Sequence, residues 1–212
     1  MLPAEGASPP EIFQRLLEEA APQFGLVLAP PILAGLARYL AELDVWRRTT
    51  NLTGPLSSQE LVAHTLESVL GEGLIPHGIR VVDIGSGAGF PGLPLAIARQ
   101  DLTMTLLEPR AKRVAFLRHA LRAIPVENAR VEACAVRDLL PGTFETATSR
   151  AVGRLPQVVG RADFLTVDGA LLVWTADAEE LGKSLASRFR YERMIRVPGS
   201  RNKAIARYQR VS

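Results

Sequence analysis

The residues with the clearest chemical character in this chain are Asp83 and the glycines that follow it. Val81-Val82-Asp83-Ile84 is a β-branched run, and Gly85-Ser86-Gly87-Ala88-Gly89-Phe90-Pro91-Gly92 makes a glycine-rich turn before an apolar helical stretch. A strand, tight turn and helix in that order present backbone N–H groups to a ligand at the carboxyl end of a sheet. Within the turn, Gly87 to Gly92 spells G-x-G-x-x-G, which alone suits a dinucleotide. The register argues otherwise. A dinucleotide fingerprint opens at the strand end, but here Asp83 stands there, and a carboxylate facing a pyrophosphate in a low-dielectric crevice is repelled. A ligand carrying ammonium and sulfonium charges is attracted instead, and S-adenosylmethionine is such a ligand. Leu106-Leu107-Glu108 closes the next strand, 25 residues beyond Asp83. A carboxylate there suits a pair of ribose hydroxyls; the plainer alternative is a surface acid paired with Arg110 or Lys112.

The elements that must position these groups change character along the chain. The first third reads as helices. Ser8 ahead of Pro9-Pro10-Glu11 is the expected cap of the first, whose Ile12, Leu16, Leu17 and Ala20 recur at helical spacing. Pro31 to Arg47 forms a second with Leu33, Leu36, Leu40, Leu43 and Trp46 on one stripe, and Ser57-Ser58-Gln59-Glu60 opens a third that ends at Gly71 and Gly73. After Pro76 strands alternate with helices: strands at 80–84, 103–107, 129–133, 145–149 and 169–175, helices at 93–99, 110–123, 155–165 and 178–187. Strand-like stretches at 191–197 and 204–211 close the chain around the turn Pro198-Gly199-Ser200. The pattern predicts an α/β protein with a mostly parallel seven-stranded sheet covered on both faces, a C-terminal antiparallel hairpin and an N-terminal helical cap. Residues 1–75 form the cap and 76–212 the ligand-binding domain, together one compact unit.

Composition narrows the class. With 212 residues, 47% hydrophobic and 22% charged, the chain is neither disordered nor collagen-like. The single cysteine, Cys134, forms no internal disulfide and no cysteine-based zinc site, so a reducing cytoplasm and no metal are expected. The opening residues lack a signal-peptide pattern and no stretch is apolar enough to span a bilayer, so no membrane is expected. The net charge of +3 hides an asymmetry: residues 1–78 carry −5 and residues 79–212 carry +8. Arg supplies 22 of the 25 cationic residues, and the last 25 residues hold eight of them against Glu192 alone. Arg forks suit phosphates and guanine edges, although a GC-rich genome would also enrich Arg.

Several segments together are more specific. Asn51-Leu52-Thr53, His64-Thr65-Leu66-Glu67-Ser68, Asp83 through Gly92-Leu93-Pro94, Leu107-Glu108-Pro109-Arg110-Ala111-Lys112-Arg113 with the helix that follows, and Ser149-Arg150-Ala151-Val152 occur in this order. In this combination the chain resembles the glucose-inhibited division protein B family, bacterial enzymes that methylate N7 of a guanine in 16S ribosomal RNA. The resemblance implies a Rossmann-like class I S-adenosylmethionine-dependent methyltransferase fold. It also implies cofactor contacts from Gly85, Gly87 and Phe90, with Ala135 and Val136 beside the adenine, alongside the roles already read for Asp83 and Glu108. Arg150 would lie next to both cofactor and substrate, and Lys112 and Arg201 would be on the RNA side; His64, in a family motif beside Glu67, either contacts the substrate RNA or packs the N-terminal helices onto the sheet. Where the family reads Arg-Ala-Glu, this chain has Cys134-Ala135-Val136, which removes a polar group from the adenine end; Arg137-Asp138 could compensate.

The chemistry so implied matches what the sequence lacks. Guanine N7 is already a nucleophilic lone pair, so positioning replaces a general base, and Arg150 is the expected positioning residue. His77 and His119 read as structural or exposed. RNA bases are often read by stacking, and Phe90, Trp46, Trp174 and Tyr208 are the candidates, Trp174 more plausibly core. The expected partner is 16S rRNA or the small subunit, approached by a monomer. Two other readings stay open at this point: a same-fold methyltransferase for a small molecule or protein, and a non-catalytic RNA-binding assembly factor.

Overall fold

A computed structural model describes residues 8–151, 153, 155–160 and 162–211. Val152 of the Ser149–Val152 segment therefore lies outside the described residues. Three helices come first: α1 (Pro10–Ala20), α2 (Pro30–Arg47) and α3 (Ser58–Leu70). The helix start expected at Ser57 is a capping box: the Ser57 hydroxyl accepts from Glu60 N–H, and the Glu60 carboxylate accepts from Ser57 N–H at 2.7 Å. Ser8 is not the cap of α1. Pro9 occupies that position without a side-chain bond, and Ser8 instead donates its backbone N–H to the buried Asp44 carboxylate on α2.

The alternating half follows as β1 (Arg80–Ile84), α4 (Gly92–Ala98), β2 (Thr103–Leu107), α5 (Ala111–Ala123), β3 (Ala129–Glu132), β4 (Phe144–Arg150), α6 (Leu155–Val158), β5 (Leu165–Thr175), α7 (Ala178–Leu185), β6 (Phe189–Arg196) and β7 (Ala204–Arg210). The seven strands form one sheet in the order β3-β2-β1-β4-β5-β7-β6. All pairs are parallel except β5–β7 and β6–β7, so the expected closing hairpin is present. The helix expected over 155–165 is only one turn. Val158-Val159-Gly160 ends it, a short 3₁₀ turn covers Ala162–Phe164, and β5 already begins at Leu165. Between Phe144↔Leu165 and Thr146↔Ala170 the register slips, so Thr166 to Gly169 bulge outward and hide the start of the strand from a period-two reading.

The first two α/β units run outward from β1 to β3, and the chain then returns to β4 on the other side of β1. This reversal opens a crevice at the carboxyl ends of β1 and β4, where open α/β sheets take their ligands. Asp83, on β1, binds its surroundings together there. It is completely buried; its carboxylate accepts from Thr148 Oγ1 on β4 at 2.9 Å and from Gly92 N–H at the start of α4 at 3.2 Å. A Cβ at Gly92 would come within 2.7 Å of the same carboxylate, so only glycine fits. Tyr39 ties α2 to the loop between β1 and α4: its hydroxyl donates to Ala88 C=O at 2.8 Å, and its ring meets Phe90 edge-on. One apolar cluster runs from Phe13 and Leu36 on the helices through Leu93 and Leu106 to Ile205 on β7, and a second lies on the opposite face of the sheet, around Val82, Phe164 and Tyr208.

Two predictions follow from these ties. Tyr39→Phe leaves a buried carbonyl without its donor and should lower the unfolding free energy by about 1–3 kcal/mol, read from urea denaturation; an unchanged midpoint would remove Tyr39 from the loop's support. Asp83 has its carboxyl pushed up to about 6 from 3.8, chiefly by burial. The folded chain therefore keeps a proton that the unfolded chain has already released, and stability falls as pH rises from about 4 to about 6, by about 3 kcal/mol relative to Asp83→Asn. Parallel pH profiles for the two proteins would contradict this.

Candidate active site

The crevice holds a cleft of about 310 Å³ whose lining includes Gly85, Gly87, Ala88, Phe90, His64 and Arg150. Gly85, Gly87 and Gly89 all have positive φ, a conformation that lets the backbone turn sharply and keeps side chains out of the cleft. The opposite wall is the segment between α2 and α3, with Leu52, Thr53, Gly54 and Leu56. Arg47, anchored to Asp44, donates to Leu56 C=O and so holds that wall to the end of α2. Asn51-Leu52-Thr53 carried the sequence signal for this wall; Arg113, which also lines the cleft, carried none of its own beyond its neighbours.

Not every expected residue reaches the cleft surface. Asp83 lies beneath the loop, bonded to protein groups. Glu108 is 2% exposed, so it is not a surface acid. Its carboxylate accepts from Gly87 N–H at 3.0 Å and from the backbone N–H of Arg110 at 2.9 Å, with the Arg113 guanidinium at 3.7 Å. Those oxygens retain lone pairs for further donors. Ala135 and Val136 follow β3, two strands from β1, and Val136 is buried in the second apolar cluster with Val82 and Leu107. Asp138 is engaged with Ala135 N–H at 3.0 Å, and Arg137 points into solvent.

Arg150 is the most constrained cation of the site. From the end of β4 it donates to Glu67 Oε2 at 2.7 Å and to His64 C=O at 3.1 Å, and its guanidinium sits 5.9 Å from the Phe90 ring centre. Ala151, next in the chain, has a positive φ of 54°, the only such non-glycine residue among those described. His64 meets Phe90 edge-on, and burial, reinforced by the Arg150 charge, pushes its imidazole down to about 4. It is therefore neutral near pH 7, offering one donor and one acceptor. Thr53 Oγ1 and Ser149 Oγ are buried without a hydrogen-bond partner, one in the cleft wall and one beside Arg150. The crevice thus offers backbone, a neutral imidazole and a fixed cation to a polar ligand.

The RNA-side candidates scatter. Lys112 is exposed on the first turn of α5, beside Arg113, and Arg201 is exposed in the turn between β6 and β7. The basic C-terminus is only partly outward-facing. Arg207 turns inward to Leu74 C=O and Glu192, Arg210 to the carbonyls of Leu165 and Thr166, and Lys203 binds Glu67. Arg188, Arg190, Arg193, Arg196 and Arg201 remain exposed. Tyr208 is fully buried with its hydroxyl on Ala178 C=O, so it offers no stacking face; Trp46 packs on Phe116 and His119, and His119 is held by Glu42. Trp174 is buried in the first apolar cluster, as expected, and also lines a second, smaller cleft. Among the described residues no helix is long and apolar enough to cross a membrane, and no cluster of metal-ligating side chains occurs.

Comparison with known proteins agrees with this architecture. The profile of the GidB family, described as rRNA small subunit methyltransferase G, matches residues 32–185. The ribosomal RNA small subunit methyltransferase G of Chromobacterium violaceum is 37% identical over 157 residues, covering 72% of this chain and 74% of that protein. The protein of the same name from Coxiella burnetii is 31% identical over 189 residues, covering 86% and 91%. Among solved structures, a SAM dependent methyltransferase from Aquifex aeolicus superposes with a TM-score of 0.56 at 16% identity, covering 69% of this chain and 89% of that one. A predicted O-methyltransferase from Agrobacterium tumefaciens gives 0.56 at 20%, covering 71% and 81%. These likenesses give the fold as that of S-adenosylmethionine-dependent methyltransferases, and by the profile and its relatives the chain belongs to the GidB family, rRNA small subunit methyltransferase G.

Proposed function

We propose that the chain transfers a methyl group from S-adenosylmethionine to N7 of a guanine in 16S rRNA, acting as a cytoplasmic monomer on the RNA or the small subunit. The observation that carries this reading is the convergence of the glycine loop, Phe90, His64 and Arg150 on one cleft, in a member of a family described by its action on small-subunit rRNA. When bound, S-adenosylmethionine supplies the methyl carbon: the N7 lone pair bonds to it as the carbon–sulfur bond breaks, the electron pair stays on sulfur, and no proton has to be removed.

The chain's own work is then binding and orientation. The loop from Gly85 to Ala88 offers backbone to the cofactor. Glu108, fixed by two backbone N–H groups, has acceptor capacity left for ribose hydroxyls, and Asp83 acts through the loop that it anchors. Ala135 and Val136 border the adenine end; the apolar burial of Val136 favours contact by shape there, without a charged group. Arg150 keeps its guanidinium beside the acceptor base, and the N–H donors left after Glu67 and His64 have fixed its direction are well matched to a guanine edge. The exposed arginines of the hairpin, with Lys112, hold the RNA backbone. A small-molecule substrate would have no use for that exposed charge, and an assembly factor without catalysis would have no use for a positioned Arg150.

Mass-spectrometric mapping of 7-methylguanosine in rRNA from cells with and without the gene tests substrate, atom and position together; the modification should vanish in the deletion and return with the wild-type chain. An Arg150→Ala chain should restore it about 100-fold less efficiently while remaining folded. Identical modification with and without the gene would refute the reading. Arg201→Ala should weaken binding of small-subunit rRNA fragments and reduce the slope of log K against log salt by about 1. An unchanged slope would take the hairpin out of the RNA interface.

A further inference from the structure

A second cleft, of about 180 Å³, adjoins the first at Arg150. It shares Arg150 and Ala151 with the first cleft, and its remaining walls include Trp174, Ala176, Val197 and Lys203. Only two residues therefore separate the groups that would hold the cofactor from this slot.

The slot is built around one carboxylate. Glu67, 4% exposed on α3, binds Arg150 Nη2 through Oε2 and Lys203 Nζ through Oε1, each at 2.7 Å. Its own carbonyl accepts the indole N–H of Trp174 at 2.7 Å, and the indole lies so close to Gly71 that a Cβ there would overlap the ring. One helical residue thus fixes a cation from β4, a cation from the hairpin turn and the aromatic side chain on β5. Without this carboxylate the largely buried Arg150 would be stranded as a charge in a poorly solvated place, whereas Lys203 reaches it from the exposed side. Ala151 turns through its positive φ immediately beside them, a strained conformation for a residue with a Cβ that persists only where the surroundings enforce it.

The lining is apolar on its broad sides and cationic at its edge, which fits a planar, electron-rich heterocycle with acceptor groups on its rim. A purine from a splayed RNA strand has those properties, and its major-groove edge presents O6 and N7 to guanidinium donors. We infer that this slot receives the acceptor guanine, with Glu67 as the positioning residue that holds Arg150, Lys203 and Trp174 around it. The inference rests on the rRNA methyltransferase reading and adds where the base sits and what shapes its seat. The exposed arginines of the hairpin precede Lys203, on β6 and the turn that follows it, so the RNA backbone would leave the slot in that direction.

Ala176 tests this without disturbing the cofactor cleft, because it is exposed and lines only the slot. Ala176→Phe should lower kcat/KM for a small-subunit rRNA fragment by about 100-fold while the calorimetric Kd for S-adenosylmethionine stays within about twofold, which also reports a folded chain. Near-normal methylation by Ala176→Phe, or a parallel loss of cofactor affinity, would overturn the assignment. A second readout does not need turnover. In a Trp46→Phe background Trp174 is the sole indole, and guanosine 5′-monophosphate added with S-adenosylhomocysteine should quench its emission saturably, an effect abolished by Ala176→Phe. Equal, non-saturating quenching in both chains would overturn the slot. If the wild type methylates no RNA the functional reading fails by itself, and the quenching experiment then still decides for or against a purine seat.

Discussion

The carboxylate of Asp83 bridges the one place in the sheet where the chain reverses its direction of growth. β1 has β2 on one side and β4 on the other, and the hydrogen bond from Thr148 to Asp83 crosses that β1–β4 pair while Gly92 N–H brings in the start of α4. Burying an acid there is unfavourable, as its raised pKa records. The cost is offset by donors from β4 and from the start of α4, so the geometry of the loop above is determined together with the crevice. Glu108 then secures the middle of that loop through Gly87, and Tyr39 secures Ala88 from the helical side. A backbone held at three points does not need to reorganise when a ligand arrives.

The acidic N-terminal helices and the basic remainder meet at Glu67. The charge asymmetry is therefore partly an internal matter: an acid from the helical third neutralises Arg150 and Lys203 from the rest. Such a buried cluster adds little net stability once desolvation is counted. Its value is directional, since it fixes the guanidinium of Arg150 between two clefts. The same inward turning explains why counting cations toward the C-terminus overstated the charge that faces outward: Arg207 and Arg210 satisfy backbone carbonyls inside the fold, and Glu192 is committed to Arg207.

Much of the architecture was legible because its signals are local. β-branched runs, glycine turns and the Ser57–Glu60 box specify their own conformations, and all seven strands were found. The misread stretches were those where long-range pairing overrides local pattern. β5 starts four residues early because Leu165 pairs with Phe144 across a bulge, and Ser8 loses its capping role to a contact with Asp44, 36 residues away. Aromatic residues were the least legible. Tyr208 and Tyr191 sit in adjacent antiparallel strands, yet one is fully buried and the other half exposed, a distinction made by α7 lying over the sheet.

For the site, the residue types and their order determined the family and the glycine loop, because a turn that must accept positive φ and approach a ligand can be built from few sequences. The sequence also named Asp83 and Glu108, but as direct contacts. Only the tertiary structure decided that Asp83 holds the loop from beneath and that Glu108 also ties it down through Gly87, that Glu67 binds both Arg150 and Lys203, the latter 136 positions away, and that a second cleft opens beside them. These depend on which side of a strand end a neighbouring helix covers, and that is set by packing between segments whose sequences carry no record of each other.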